Sequence, residues 1–156
     1  MVPTAAPACP LCASDDAPAL WRNEKLRVIA VGEADYPGYV RVVWRTHAAE
    51  MTDLDDADRL HVMQVVLEVE SVMRDHMRPD KVNLAALGNM VPHLHWHVIP
   101  RWRGDRHFPD AIWAAPRVPA GGEPEEFRRM LQSAAQRVPE FHSRLQERLS
   151  LRFRAA

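Results

Sequence analysis

The run His93-Leu94-His95-Trp96-His97-Val98-Ile99 sets three imidazoles at alternate positions. Side chains of an extended strand alternate between its two faces, so His93, His95 and His97 would share one face while Leu94, Trp96 and Val98 share the other. With roughly 3.3 Å of rise per residue, alternate histidines stand about 6.6 Å apart, near enough to act on one small ligand. Strand propensity favours Val, Ile or Thr at such positions, and groups that titrate near neutrality repel one another when protonated together, so three histidines in register point to function. Imidazole serves metals and anions alike, and the run by itself allows a histidine-rich metal site or a site for an anionic substrate. The second chemical signal is Cys9-Pro10-Leu11-Cys12, which holds both cysteines of the chain. That spacing suits a metal or a redox pair better than a disulfide framework.

The elements that must position these residues are legible as alternation and periodicity. Residues 26–31 and 39–45 are β-branched runs separated by Asp35-Tyr36-Pro37-Gly38 and predict two antiparallel strands with a turn. Thr52 and Asp53 can cap a following helix, Asp55 and Asp56 favour its first turn, and Val62, Val66, Val69, Met73 and Met77 recur at helical spacing, so a helix is expected from about 54 to 77, ending near Pro79. Asn83 to Leu87 predicts a short strand, Gly88-Asn89 a turn or bulge, and residues 93–100 a strand that Pro100 stops. Beyond a Trp- and Pro-rich stretch from 102 to 119, Gly121-Gly122 breaks the chain and Pro124 can open a helix whose apolar set is Phe127, Met130, Leu131, Ala134, Ala135 and Val138. Hairpins with helices between them imply an α+β fold rather than a doubly wound parallel sheet.

The chain has 156 residues, 47% hydrophobic and 26% charged, the composition of one ordinary globular domain. Lys plus Arg number 20 against 21 Asp plus Glu, which lacks the basic excess of a general nucleic-acid binder. The N-terminus has neither a basic start nor a long apolar stretch, so no signal peptide or membrane anchor is expected and the cytoplasm is the default location.

His93-Leu94-His95-Trp96-His97-Val98-Ile99 resembles the histidine-triad signature, His-x-His-x-His followed by two apolar residues. Asn83, Gly88 and Asn89 fall where that family carries an Asn and a Gly-Gln or similar pair, and the resemblance covers most of residues 9–113. The core Leu-Gly-Asn-Met-Val-Pro-His-Leu-His-Trp-His is similar to bacterial members described as diadenosine polyphosphate hydrolase-like. The resemblance implies a single domain over 1–156, with a core of about 9–113 and a helical extension of about 122–150. It implies an antiparallel sheet of about five strands, one long helix and a C-terminal helix. It also implies hydrolysis of a small-molecule nucleotide, a diadenosine polyphosphate or nucleoside phosphoramidate. His95 would attack the α-phosphorus and carry the nucleotidyl group covalently, its other nitrogen held by a backbone carbonyl. His97 would donate to phosphate oxygens and assist the leaving group, and Asn83 and Asn89 would offer amide donors to the phosphates. For Asn89 a turn residue beside Gly88 is the second reading, close behind the substrate contact. Met90 stands where some relatives place a phosphate-contacting Ser. Relatives dimerise by extending the sheet, so a homodimer is implied, with the helix from 124 onward as a contact.

A tetrahedral zinc takes four N or S ligands, and some relatives use the first triad histidine as one of them. Carried over residue by residue, that arrangement is Cys9, Cys12, His47 and His93, a structural ion that removes His93 from the reactive set. The redox reading of the cysteines is weaker, because such pairs usually open a helix after a strand, and here Pro10 follows the first cysteine. His61, His76 and His142 are assigned to surface or helix positions, while His107 in Arg106-His107-Phe108-Pro109 is a candidate pocket residue. Against the enzyme stand two other functions: a catalytically weak nucleotide-binding or regulatory protein with structural zinc, and a zinc-stapled interaction domain in which the triad serves only the metal.

Overall fold

The computed structural model describes residues 9–153. Residues 1–8, the stretch in which no targeting signal is read, lie outside the described residues, as do 154–156. The order of elements is α1 (Pro10–Ala13), β1 (Trp21–Arg22), β2 (Leu26–Ala30), β3 (Val40–Trp44), a 3-10 turn (Met51–Asp53), α2 (Asp56–Met77), β4 (Lys81–Ala85), β5 (His95–Arg101) and α3 (Glu125–Arg152). The strands form one antiparallel sheet in the order β1-β2-β3-β5-β4. The fold is α+β, with the five strands, long helix and C-terminal helix that the resemblance implies. Among the described residues no helix is long and apolar enough to cross a membrane.

Register divides the sheet into a covered face and an open one. Val28, Val42 and Trp96 lie in one row across β2, β3 and β5, and Val40, Val98 and Leu84 in another. These rows pack against Val62, Val65, Val66, Val69, Val72, Met73 and Met77 of α2. Burying such a side chain contributes roughly 1.5–3 kcal/mol relative to leaving it exposed. The alternate rows carry Arg27, Val43 and His95, then Arg41, His97 and Ala85, then Ile99 and Asn83. The turn between β2 and β3 fits closely under α2: Gly38 has φ +90, and a β-carbon there would stand 3.0 Å from the Met77 side chain.

Four local expectations are corrected. The N-cap of α2 is Asp55, whose carboxylate accepts from the Asp58 N–H at 2.8 Å. Thr52 and Asp53 belong instead to the 3-10 turn, where the Asp53 carboxylate accepts from the Ala49 and Glu50 amides. β5 begins at His95, not His93, because the His93 N–H turns back to the Val91 carbonyl at 2.8 Å. Nor does Pro100 end β5, which runs on to Arg101. Pairing with β3 stops at Val98, so Pro100 has β4 alone as a neighbour, the edge-like setting in which a residue without N–H is tolerated. In α3 the buried residues are Ala134, Phe141, Leu145 and Leu149, while Ala135 is exposed. The helix continues through Pro139, which faces solvent. It is tied to α2 by the buried Glu68 carboxylate, which accepts from Arg148 at 3.0 Å and from Arg152.

Candidate active site and metal centre

The start of β5 lies where the two chemical signals of the sequence meet. His93 stands just before the strand with its ring turned toward the N-terminal turn, so two imidazoles rather than three face the open side of the sheet. Its Nδ1 is 3.3 Å from Cys9 Sγ and 3.4 Å from Cys12 Sγ, and His47 Nδ1 is 3.4 Å from Cys12 Sγ. The four ligand atoms of Cys9, Cys12, His47 and His93 all lie within 4.8 Å of one another. Zinc bonds of about 2.0–2.3 Å in a tetrahedron put neighbouring ligands roughly 3.3–3.8 Å apart, so these residues fit that ion. His93 Nε2–H donates to the Trp44 carbonyl at 2.6 Å, which leaves Nδ1 unprotonated toward the cysteines. Burial lowers the His93 pKa, against the Trp44 bond that favours its protonated form.

His95 is held the opposite way round. Its Nδ1 lies 2.6 Å from the backbone oxygen of His93, an atom that only accepts, so Nδ1 carries the proton and Nε2 the lone pair. This is the backbone carbonyl that the sequence leaves unidentified. Burial is the main cause holding the His95 pKa below its usual range, with the Arg41 charge acting in the same direction, and the imidazole is therefore neutral at pH 7. His97 follows on the same face, its ring centroid 4.8 Å from that of His95. Its pKa falls to about 4, through burial first and then through His95 and Arg41. The Tyr39 hydroxyl lies 2.5 Å from His97 Nδ1, and burial pushes the phenol pKa upward, so the proton stays on Tyr39.

Asn83 lies in β4, in the row next to His97, and its Oδ1 accepts from Arg101 at 2.7 Å. That bond fixes the amide and leaves its NH2 to donate. Asn89 is exposed in the β4–β5 loop after Gly88, whose φ is +66, and its side chain makes no hydrogen bond among the described residues. Met90 beside it is exposed. His107 does not face the two imidazoles; its Nδ1 lies 2.5 Å from the Tyr36 hydroxyl. His61 Nε2 faces Asn23 at 3.0 Å, and His76 and His142 lie half-buried on α2 and α3.

Sequence reasoning missed four residues of this region. Tyr39 and Arg41 occupy alternate positions of a run that reads only as a strand. Arg101 binds the Asp105 carboxylate through two nitrogens at 2.7 and 2.9 Å and the Asp110 carbonyl at 2.8 Å, which orders the loop after β5. That loop brings Trp113, half-exposed, to 5.0 Å from His97 between ring centroids, edge to face. An Arg at the last position of a strand and a Trp in a polar loop carry no periodic signal. A cavity of about 230 Å³ between residues 49–51, 86–88 and 93–95 opens beside His95. A larger one, about 440 Å³, lies at the C-terminal end of α2 among Ser71, Arg74, Asp75 and Arg78, so chemistry rather than size locates the site.

Comparison with known proteins agrees with this geometry. The family described as HIT domain matches residues 14–104. AP-4-A phosphorylase of Mycobacterium tuberculosis is 32% identical over 89 residues, 53% of this chain and 46% of its own length, so the chain spans less than half of that curated relative. Among solved structures, a histidine triad protein of Bradyrhizobium japonicum is 27% identical with a TM-score of 0.59, covering 81% of this chain and 93% of its own. A Zn-bound histidine triad family protein of Mycobacterium smegmatis is 26% identical with a TM-score of 0.54, covering 85% and 96%.

Proposed function

The chain belongs to the HIT domain family, and from that premise we propose that it hydrolyses or transfers nucleotidyl groups through a covalent intermediate on His95. The single observation that carries this reading is the bond from His95 Nδ1–H to the His93 carbonyl, which aims the Nε2 lone pair at the open face. Nε2 attacks the α-phosphorus of a bound nucleotide, a P–N bond forms, and the bond from phosphorus to the leaving group breaks. Splitting one displacement into two in this way is what covalent catalysis offers. Tyr39 donates to His97 Nδ1, so His97 carries its proton on Nε2 and donates a hydrogen bond from it to the leaving-group oxygen, which departs with the electron pair as an anion. Water then displaces His95 and releases the nucleoside monophosphate. The Asn83 amide donates to the phosphates, and so does Asn89 once a ligand orders its loop.

Zinc on Cys9, Cys12, His47 and His93 belongs to this reading as a structural ion, supported by their spacing. When bound it staples the N-terminal turn beside the peptide that orients His95. A homodimer and a cytoplasmic location belong to it too and rest on the family resemblance. The substrate class is a diadenosine polyphosphate or a nucleoside phosphoramidate. Exposed Met90, in place of a phosphate-contacting Ser, favours one alternative: a catalytically weak, regulatory nucleotide-binding protein with the same zinc.

The test is incubation of wild type and His95→Ala with diadenosine polyphosphates and adenosine phosphoramidate, followed by nucleotide chromatography. AMP release by wild type alone supports the enzyme; nucleotide binding without turnover supports the regulatory alternative.

A further inference from the structure

Four arginines, Arg22, Arg27, Arg41 and Arg101, lie on the open-face rows of the strands, and three of them are bonded into the fold; Arg22 donates to the Ala17 carbonyl at 2.6 Å. Arg27 is buried under the N-terminal turn, where it donates to the Leu11 carbonyl at 2.7 Å and to the Ser14 carbonyl, with Asp15 3.6 Å away. Arg101 is buried with Asp105 and also bonds Asn83 and the Asp110 carbonyl. Arg41 differs from these three: among the described residues no carboxylate and no backbone carbonyl pairs with it, and its Nε, like that of Arg27, is buried without a hydrogen-bond partner. Its guanidinium carbon stands 5.9 Å from the centre of the Tyr39 ring, against the residue that holds His97.

A buried N–H left unbonded is costly unless an acceptor comes to meet it, and the rest of this half-buried guanidinium can reach one. Its planar fork matches the non-bridging oxygens of a phosphate. The register places Arg41 directly across from His97, one row along from His95 and Val43. It therefore stands level with the group assigned to the leaving group, not with the nucleophile. A guanidinium keeps its charge throughout the physiological range, so Arg41 brings a fixed positive charge to this part of the face.

Resting on the hydrolase reading above, we propose that Arg41 is a specificity-determining residue that binds a phosphate of the leaving group. It forms no covalent bond. As the bond from the α-phosphorus to the leaving oxygen breaks, the electron pair goes to that oxygen, His97 Nε2–H donates a hydrogen bond to it, and Arg41 pairs with the remaining phosphate charge. A leaving group that ends in a phosphate gains from this cation; a bare amine does not.

The experiment compares wild type, Arg41→Met and Arg41→Lys in two arms. The first measures kcat/KM for diadenosine tetraphosphate and for adenosine phosphoramidate. Arg41→Met is expected to lose at least tenfold more on the tetraphosphate, since a hydrogen bond to a charged group is worth roughly 10- to 100-fold in an equilibrium or rate. Arg41→Lys, which keeps the charge without the fork, should recover part of that loss. The second arm titrates AMP and ADP calorimetrically, and ADP should lose at least tenfold more affinity than AMP in Arg41→Met. Equal losses on both members of each pair, or no loss, would overturn the assignment. If wild type turns over neither substrate, the hydrolase reading fails, and the ADP-to-AMP difference still decides whether Arg41 binds a second phosphate. Retained AMP affinity and an unaltered circular dichroism spectrum guard against a merely misfolded variant.

Discussion

His93 and His95 are two residues apart and both buried, yet the backbone takes opposite nitrogens from them. The Trp44 carbonyl occupies Nε2 of His93, leaving Nδ1 to the two cysteines and His47. The His93 carbonyl occupies Nδ1 of His95, leaving Nε2 to the open face. One motif thus supplies a corner shaped for a metal and a face shaped for a phosphorus. What separates them is which ring nitrogen a peptide oxygen has already claimed, a choice made by the backbone turn at His93 and by strand pairing from His95 onward. The two regions are also in series, since the peptide of a metal-corner residue orients the proposed nucleophile.

The largest effect that sharpens this contrast, short of removing the nucleophile, belongs to the open face. His97→Ala should lower kcat by about 10²- to 10³-fold, the usual range for a lost hydrogen-bond donor to developing charge, while the melting temperature stays within a few degrees. Rapid-quench kinetics and a thermal melt check both halves. The metal corner should respond in the reverse order. Cys12→Ser, or treatment with a chelator, should lower the melting temperature by about 10 °C, which at roughly 2–4 °C per kcal/mol for a chain of this size corresponds to ~3–5 kcal/mol. Turnover in the surviving folded protein should fall less than in His97→Ala. A chelator that abolishes turnover with no change in melting would break the division of labour, because the metal would then belong to the chemistry.

A smaller effect concerns pH. The His97 pKa is lowered to about 4 in the folded chain from an ordinary 6.5, so between those values the unfolded chain binds more protons. Stability is therefore complete above pH 6.5 and declines as the pH falls toward 4, by up to about 3 kcal/mol at 1.36 kcal/mol per pKa unit. His97→Asn should flatten the wild-type curve of unfolding free energy against pH across that window. A wild-type and variant pair with parallel curves would mean that His97 already titrates normally in the folded protein.

Much of this fold is visible in the chain before any coordinates. α2 announces itself because Val62, Val66, Val69, Met73 and Met77 repeat at helical spacing, and all are buried against the sheet. The strands announce themselves by alternation, and the Cys2His2 set follows once the resemblance links Cys9 and Cys12 to His47 and His93, residues that the fold brings together. The end of a strand is less legible. Alternation continues through His93 although a local turn has already taken its amide, and Pro100 looks like a stop although it has lost a neighbour on one side alone. Tyr39 and Arg41 are illegible for a different reason: a strand pattern reports which face a residue takes, not what stands across from it. Only the pairing of β3 with β5 sets Arg41 opposite His97 and Tyr39 within reach of its ring. Trp113 is placed by a buried Arg101–Asp105 pair, a contact that no periodicity encodes.

The central claim is that His95, and neither of its neighbours, carries the nucleotidyl group. Intact-mass spectrometry of rapidly quenched protein after mixing with diadenosine tetraphosphate tests it most directly. The account predicts an acid-labile adenylyl adduct on wild type, mapped to His95, formed more slowly in His97→Ala, and absent from His95→Ala. An adduct of the same mass on His95→Ala, or one mapped to His93 or His97, would contradict it.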